Sequence, residues 1–154
     1  MSKALERLLA LLDGGGVKYD VLRHPPVYTS QQAADARGTS LVSGAKALIV
    51  KAGETFIMFV LPADRKLDSK RVRTALSARK LRFADEDDLA RIAGLSPGSI
   101  PPFGSLFGLS TWCDVRLADQ ELINFNAGSH EVSISMSFED YARIEMPRMA
   151  DVAQ

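Results

Sequence analysis

The stretch AKALIVKAGETFIMFVLP, residues 45–62, sets the frame for the rest of the chain. Residues 45–51 and 55–61 are apolar runs of strand length, and Gly53-Glu54 between them has the length of a tight hairpin turn. Pro62, which cannot donate to a ladder, closes the second strand. One residue breaks the first run: Lys46 interrupts Ala45, Ala47, Leu48, Ile49 and Val50 near the start of a strand that otherwise reads as buried. Lysine is seldom fully buried unless paired, so Lys46 faces either a pocket or a sheet edge, where a charge discourages strand-to-strand aggregation. The pattern does not choose between them. Lys51, at the turn end, reads as a solvated residue.

Toward the N-terminus, Leu5, Leu8, Leu9 and Leu12 recur at helical spacing, which predicts an amphipathic helix over residues 3–13, stopped at Gly14–Gly16. Residues 18–23 alternate as a short strand and lead into His24-Pro25-Pro26, a rigid extended turn. Thr29 and Gln32 have the spacing of a capping box and open a helix to about Arg37. Toward the C-terminus the pattern predicts a basic helix over about residues 68–78, a strand over 81–84 and a helix opened by Asp85–Asp88. Acids in a first turn complement the helix dipole, so this run reads as capping and not metal ligation; Gly94 is the exit. The segment GLSPGSIPPFGSLFG, residues 94–108, is too rich in glycine and proline for a regular element, and a long irregular loop in a small domain is usually functional. Strands follow near 111–117, 121–126 and 131–136, with a turn at Ala127-Gly128-Ser129, then a helix over 138–144 and a final half-dozen or so residues expected to fray. This order predicts one α/β (α+β) domain over residues 1–154, built on a mixed, largely antiparallel sheet with flanking helices.

Composition removes several classes. An apolar fraction of 46% and a charged fraction of 25% are those of a globular chain, not of a disordered one or a coiled coil. The lone Cys113 excludes an internal disulfide and a multi-cysteine zinc site and suits a reducing compartment. No apolar run approaches the ~20 residues that cross a bilayer. Residues 1–13 carry Glu6 and Asp13, unlike a signal or transit peptide, so a cytoplasmic location without membrane contact is expected. Nineteen basic and nineteen acidic side chains cancel. With no global field to hold a long nucleic-acid backbone, DNA is not an expected partner and any RNA contact must be local.

Familiar catalytic motifs are missing: the chain has no phosphate-binding Walker loop, dinucleotide fingerprint, G-x-S-x-G elbow or zincin pair. Cys113 follows Trp112 in an expected strand and reads as core. Asp114 could pair with a histidine, though no spacing says so. The remaining candidates are Lys46 and two glycine-rich turns. Glycines in the 94–108 loop let backbone N–H groups approach a ligand, and its prolines hold one shape, lowering the ordering cost of binding. Ala127-Gly128-Ser129-His130 offers a second close-approach turn, where His130 is either functional or hydrogen-bonded to backbone.

In order, His24-Pro-Pro, the helix led by Thr29, GAKALIVK, DRKLDSKRV, KLRFADEDDLARIAGLSPGSIPPFG and INFNAGSHEVSISMSFEDY resemble the YbaK/prolyl-tRNA-synthetase-associated editing domain family, from about residue 4 to residue 145. The resemblance implies a compact, barrel-like α/β domain that edits in trans, hydrolysing the ester between a mismatched amino acid and the 3′ end of a tRNA, often that for proline. The family's key lysine falls on Lys46. Its G-x-x-x-P element falls on Gly98, Ser99, Ile100, Pro101 and Pro102, with Phe103 and Gly104 closing the loop. The pocket-lining segment after the first histidine falls on Val27, Tyr28, Thr29 and Ser30, and the late turn on Gly128, Ser129 and His130. No metal or organic cofactor is implied. The partners implied are the acceptor end of a mischarged tRNA and an aminoacyl-tRNA synthetase. Some alanine-specific members carry asparagine after the lysine and a His-Pro-Leu-Thr-Asn-like late segment; Ala47 and Ala127–His130 stand there instead, so the resemblance does not carry the specificity.

An aminoacyl ester is already activated toward water, so positioning and charge stabilisation suffice. Lys46 is expected to hold the terminal phosphate or polarise the ester, with N–H groups around Gly98–Gly104 cradling the carbonyl oxygen and His130 in reserve to position water. A small neutral residue, alanine first, is the expected leaving amino acid. Lys66, Lys70, Arg71 and Arg73 are the expected tRNA footprint, against the plainer reading of a solvated helix face. The competing classes are a non-catalytic module that binds tRNA or a synthetase, and an enzyme of free esters or thioesters.

Overall fold

Local signals decide most element boundaries in the computed structural model, which describes residues 2–154; Met1, the first residue of the expected domain, lies outside the described residues. Along the chain run α1 (Lys3–Gly14), β1 (Tyr19–Arg23), α2 (Ser30–Arg37), β2 (Ala45–Ala52), β3 (Thr55–Pro62), α3 (Ser69–Leu76), β4 (Leu81–Phe83), α4 (Glu86–Ala93), β5 (Ser110–Asp114), β6 (Leu122–Asn126), β7 (Val132–Ser137), α5 (Phe138–Glu145) and β8 (Arg148–Ala150). Short 3-10 helices occupy Leu41–Ser43, Gly104–Phe107 and Val115–Asp119. The Thr29 hydroxyl accepts the Gln32 N–H at 3.1 Å, while the Gln32 side chain reaches one residue further back than a capping box requires and accepts from Tyr28 N at 2.9 Å. The acidic run caps α4: Asp85 accepts from Asp88 N and Asp88 accepts from Asp85 N. Arg82 and Arg91 also bind the Asp88 carboxylate, and the Arg82 bond holds its pKa down to about 2.

The strands form two sheets. One is antiparallel, in the order β1-β7-β6; the other is mixed, in the order β4-β2-β3-β5-β8, with β3-β5 and β5-β8 parallel. Antiparallel pairs predominate, but the sheets do not close into the barrel that the resemblance implies. Outside the ladders they are joined by a bridge between Gly44 and Asn124.

Burial follows the strand period. Met58 and Val60 of β3 point into a core that also takes Leu5, Leu8 and Leu12 of α1, Ile123 and Phe125 of β6, and Ile134 and Met136 of β7. Ile57, Phe59 and Leu61 point the other way, onto Leu67, Val72 and Val152. Covering on both faces is why TFIMFVL reads as an unbroken apolar run. The three-stranded sheet is different. Its second face carries Asn124, Asn126, Ser133 and Ser135, and this polar face matters for the site.

Two further expectations fail. The strand expected over 111–117 ends at Asp114, whose carboxylate accepts from Arg116 N and turns the chain into the 3-10 helix. The expected fraying of the last residues does not occur. β8 pairs with β5, and Val152 and Ala153 are fully buried. The buried Asp114 carboxylate accepts from both of their N–H groups, at 3.0 and 3.1 Å, and pairs with Arg116. A buried carboxylate needs such partners, and the C-terminal segment supplies two of them.

Candidate functional site

β4 covers β2 only from Val50 to Ala52, so the first half of β2 has an open edge. A cavity of about 160 Å³ lies along that edge. Lys46 and neighbouring β2 backbone form one wall; Thr29, Ser30 and Arg37 of α2 form a second; Gly98, Ile100 and Asn126 form a third. Both readings of Lys46 therefore meet, since the open sheet edge is itself the pocket. Ile49 O, on the outward side of β2, accepts from Ala84 N. By strand alternation the N–H and C=O of Ala47 turn the same way, where no strand covers them. Lys46 is half-buried. Burial lowers its pKa from the ordinary 10.5; Asp64 offsets part of the fall and Lys66 adds to it.

The sequence reading missed a second cation. Arg37 donates through Nε to Ser133 Oγ at 2.8 Å and through Nη2 to Asn126 Oδ1 at 2.9 Å. Burial lowers its pKa to about 10, with no carboxylate offsetting the cost. Asn126 in turn donates through Nδ2 to Gly98 O at 2.7 Å, so the guanidinium fixes the amide and the amide fixes the loop. Alternation in INFN and VSIS put Asn126 and Ser133 on the non-core face and so carried a signal. Nothing in it pointed to Arg37.

The 98–104 loop divides. Gly98 has φ +85°, a conformation that favours glycine, and a Cβ there would lie 3.4 Å from the His130 ring. The N–H groups of Gly98 and Ile100 find no acceptor among the described residues, and both residues line the cavity, Ile100 with its side chain in the core. The rest turns inward. Ser99 is buried and accepts the Gly128 N–H; Pro101, Pro102 and Phe103 enter the core. Phe103 packs edge-on against Phe125 and Tyr141, and Pro102 O accepts from the Tyr141 hydroxyl. Gly104 N donates to Thr111 Oγ1, so it cannot cradle a ligand oxygen. The expected cradle therefore shrinks from Gly98–Gly104 to Gly98 and Ile100.

His130 is not in this cavity. Its Nδ1 lies 3.0 Å from Val27 O and its Nε2 3.0 Å from Ser96 Oγ. A carbonyl only accepts, so Nδ1 carries the proton and Nε2 accepts from Ser96. Both nitrogens are engaged, and the ring staples Val27 to the loop. Gly128, at φ +82°, packs on the start of α1, where a Cβ would meet Ser2 Oγ at 3.0 Å. Ser129 accepts from Glu131 N. With His130 they line a separate, wider groove of about 490 Å³. Tyr28, 71% exposed, borders both spaces; Val27 is core.

Of the expected basic footprint, Lys66 and Lys70 are exposed and Arg73 is half-buried. Arg71 is committed to Asp151, Asp68 and Ala153 O. Cys113 is fully buried, and burial, helped by Asp114, pushes its thiol up to about 12, which suits core and not a nucleophile. Asp114 pairs with Arg116, not with a histidine.

A family model described as "Aminoacyl-tRNA editing domain" matches residues 24–144. The Multifunctional Ser/Thr-tRNA deacylase ProXp-y of Escherichia coli (strain K12) is 29% identical over 151 residues, covering 95% of this chain and 90% of that protein. The Prolyl-tRNA editing protein ProX of Acetoanaerobium sticklandii is 25% identical over 147 residues, covering 92% and 90%. A crystal structure provisionally assigned as a trans-editing enzyme for prolyl tRNA synthetase superposes with a TM-score of 0.87 at 20% identity, covering 100% of this chain and 99% of that one, a likeness of fold.

Proposed function

This chain belongs to the aminoacyl-tRNA editing domain family, and from that premise we propose that it is a hydrolase acting in trans on mischarged tRNA, releasing a small amino acid from the 3′ end. The observation that carries the reading is that half-buried Lys46 lines one small cavity together with Gly98 and Ile100, whose N–H groups have no acceptor among the described residues. An engineered cavity of ~150 Å³ takes a ligand the size of benzene. One of about 160 Å³ suits a small aminoacyl group and leaves the nucleotide outside.

In the reaction, a water attacks the ester carbonyl carbon; attack by the neighbouring ribose hydroxyl would only move the ester to that oxygen, from which a water must still release the amino acid. The carbonyl oxygen gains charge, which the Gly98 and Ile100 N–H groups and Lys46 stabilise. The ester C–O bond then breaks and the ribose oxygen takes up the proton. On the water route the products are the free amino acid and uncharged tRNA. If Lys46 acted instead on the terminal phosphate, its loss would weaken substrate binding, whereas its loss from the ester role slows the chemical step.

Serine and threonine move ahead of alanine as the amino acid removed. The deacylase of Escherichia coli named for them aligns over nearly the whole chain, and Thr29 and Ser30 put hydroxyls on the cavity wall. Thr29 accepts from Gln32 N, which leaves its own proton free for a side-chain hydroxyl. The tRNA is that for proline, as in the name of the Acetoanaerobium relative. Lys66 is close enough for its charge to act on Lys46, so the basic segment begins at the cavity and continues through Lys70 and Arg73 as a track for the acceptor stem. The test is a panel of tRNAs charged with serine, threonine, alanine, cysteine, 2-aminobutyrate and proline. Release of serine or threonine from tRNA for proline is expected; tight binding with no release from any member would make the chain a binding module instead.

A further inference from the structure

Arg37 is left without an anion. Its guanidinium is largely withdrawn from water, it lines the cavity, and no carboxylate acts on it. Charges taken out of water are ordinarily paired, so a desolvated guanidinium facing a cavity asks for an anion that the ligand brings. Ser133 Oγ and Asn126 Oδ1 hold Nε and Nη2, which fixes the plane of the fork. Nη1 has no acceptor among the described residues and lies 3.7 Å from the place a Cβ on Gly44 would take, and both residues line the cavity. Arg37 and Lys46 also stand on different supports. Arg37 ends α2 and is tied to the three-stranded sheet, whereas Lys46 is on β2 and feels Asp64 and Lys66.

We propose that Arg37, held by Ser133 and Asn126, seats the phosphodiester on the 5′ side of the terminal nucleotide of the tRNA, leaving the charge of Lys46 for the ester. The inference rests on the deacylase reading above, because that substrate carries one permanent anion close to the ester and this is it. A planar fork matches the oxygens of a phosphate, and a fixed fork pays little entropy on binding. The ester oxyanion is a poor alternative, since it exists only during the reaction and cannot compensate Arg37 in the bound ground state.

The test uses three uncharged probes as inhibitors of deacylation: adenosine, the dinucleotide cytidylyl-adenosine, and the same dinucleotide with a neutral methylphosphonate link. The wild type is expected to bind the phosphodiester about tenfold to a hundredfold more tightly than the methylphosphonate, the range of a charge-assisted bond. Arg37→Gln should abolish that preference and raise KM more than it lowers kcat, whereas Lys46→Ala, followed by direct binding of the probes, should keep it. A preference unchanged in Arg37→Gln, or lost in Lys46→Ala, overturns the assignment and leaves the deacylase reading standing. No release of amino acid from any charged tRNA by the wild type overturns both. Should Arg37→Gln fail to fold, the wild type decides by NMR: the Arg37 Nε–H signal should move with the phosphodiester and stay still with the methylphosphonate, and equal movement with both overturns the proposal.

Discussion

Asn126→Ala is the substitution that separates the architecture of the site from the stability of the fold. It removes the 2.7 Å bond to Gly98 O and the 2.9 Å bond from Arg37. A neutral hydrogen bond contributes about 1 kcal/mol net and one to a charged group about 1.5–3 kcal/mol. Asn126 is half-buried, so the low end applies and the loss is about 2 kcal/mol. For a chain of this size that lowers Tm by about 4–8 °C, and a typical margin of 5–15 kcal/mol keeps the protein folded at 25 °C. The rate should fall much further. Gly98 would lose the bond that holds it on the cavity wall, and a displacement of about 1 Å can cost on the order of a hundredfold. The assay is single-turnover release of labelled amino acid, with enzyme in excess, from the charged tRNA that the wild type hydrolyses fastest, alongside a thermal melt. A variant that loses the expected Tm yet keeps a rate within about threefold of wild type would show that the Asn126–Gly98 bond is structural only, and the cradle would have to be abandoned.

Three further outcomes follow from other parts of the molecule. His130→Ala should lower Tm, since two bonds of about 1 kcal/mol each are lost, but keep deacylation within about tenfold; general acid–base catalysis typically contributes about 10²–10⁴-fold, so a loss in that range would return His130 to the chemistry. Asp114→Ala should cost about 3–5 kcal/mol in urea unfolding and loosen the C-terminal segment to hydrogen exchange, because it leaves two buried N–H groups unpaired and Arg116 with Asp151 alone; unchanged protection at Val152 and Ala153 would contradict the pinning role. The Cys113 thiol, raised by burial to about 12 against an ordinary 9.0, should resist iodoacetamide at pH 8 while native and react once unfolded. Rapid alkylation of the native protein would refute its placement.

What was legible in the sequence was whatever neighbours in the chain decide. The hairpin at Gly53-Glu54, the Thr29 cap and the Asp85 cap all depend on contacts a few residues apart, and they formed where expected; the sequence marked Lys46 as an exception but left pocket and sheet edge open, because the walls around it come from distant residues. Illegible features depend on distant partners. Arg37 meets Asn126 and Ser133 across 89 and 96 residues, and no local pattern distinguishes it from any arginine ending a helix. The C-terminal segment looked free because its anchor, Asp114, lies 38 and 39 residues upstream on a strand that pairs in parallel. The 98–104 loop was recognised as a unit, but composition could not say that Pro101–Phe103 would be drawn into the core by Phe125 and Tyr141 while Gly98 stayed outside.

The central claim is that the ester is cleaved in the cavity at the open edge of β2, under the charge of Lys46. Lys46→Ala, compared with wild type for single-turnover release and for its melt, tests this most directly. Folding should survive, because burial works against that charge and its removal relieves a cost; with its pKa lowered in the folded state, the residue binds protons less well there than in the unfolded chain, so its contribution to stability improves as pH rises through the lowered value toward 10.5. The rate should fall by about 10²–10³-fold, the usual loss of one group that stabilises a developing oxyanion. A folded Lys46→Ala protein that hydrolyses as fast as wild type would contradict the account.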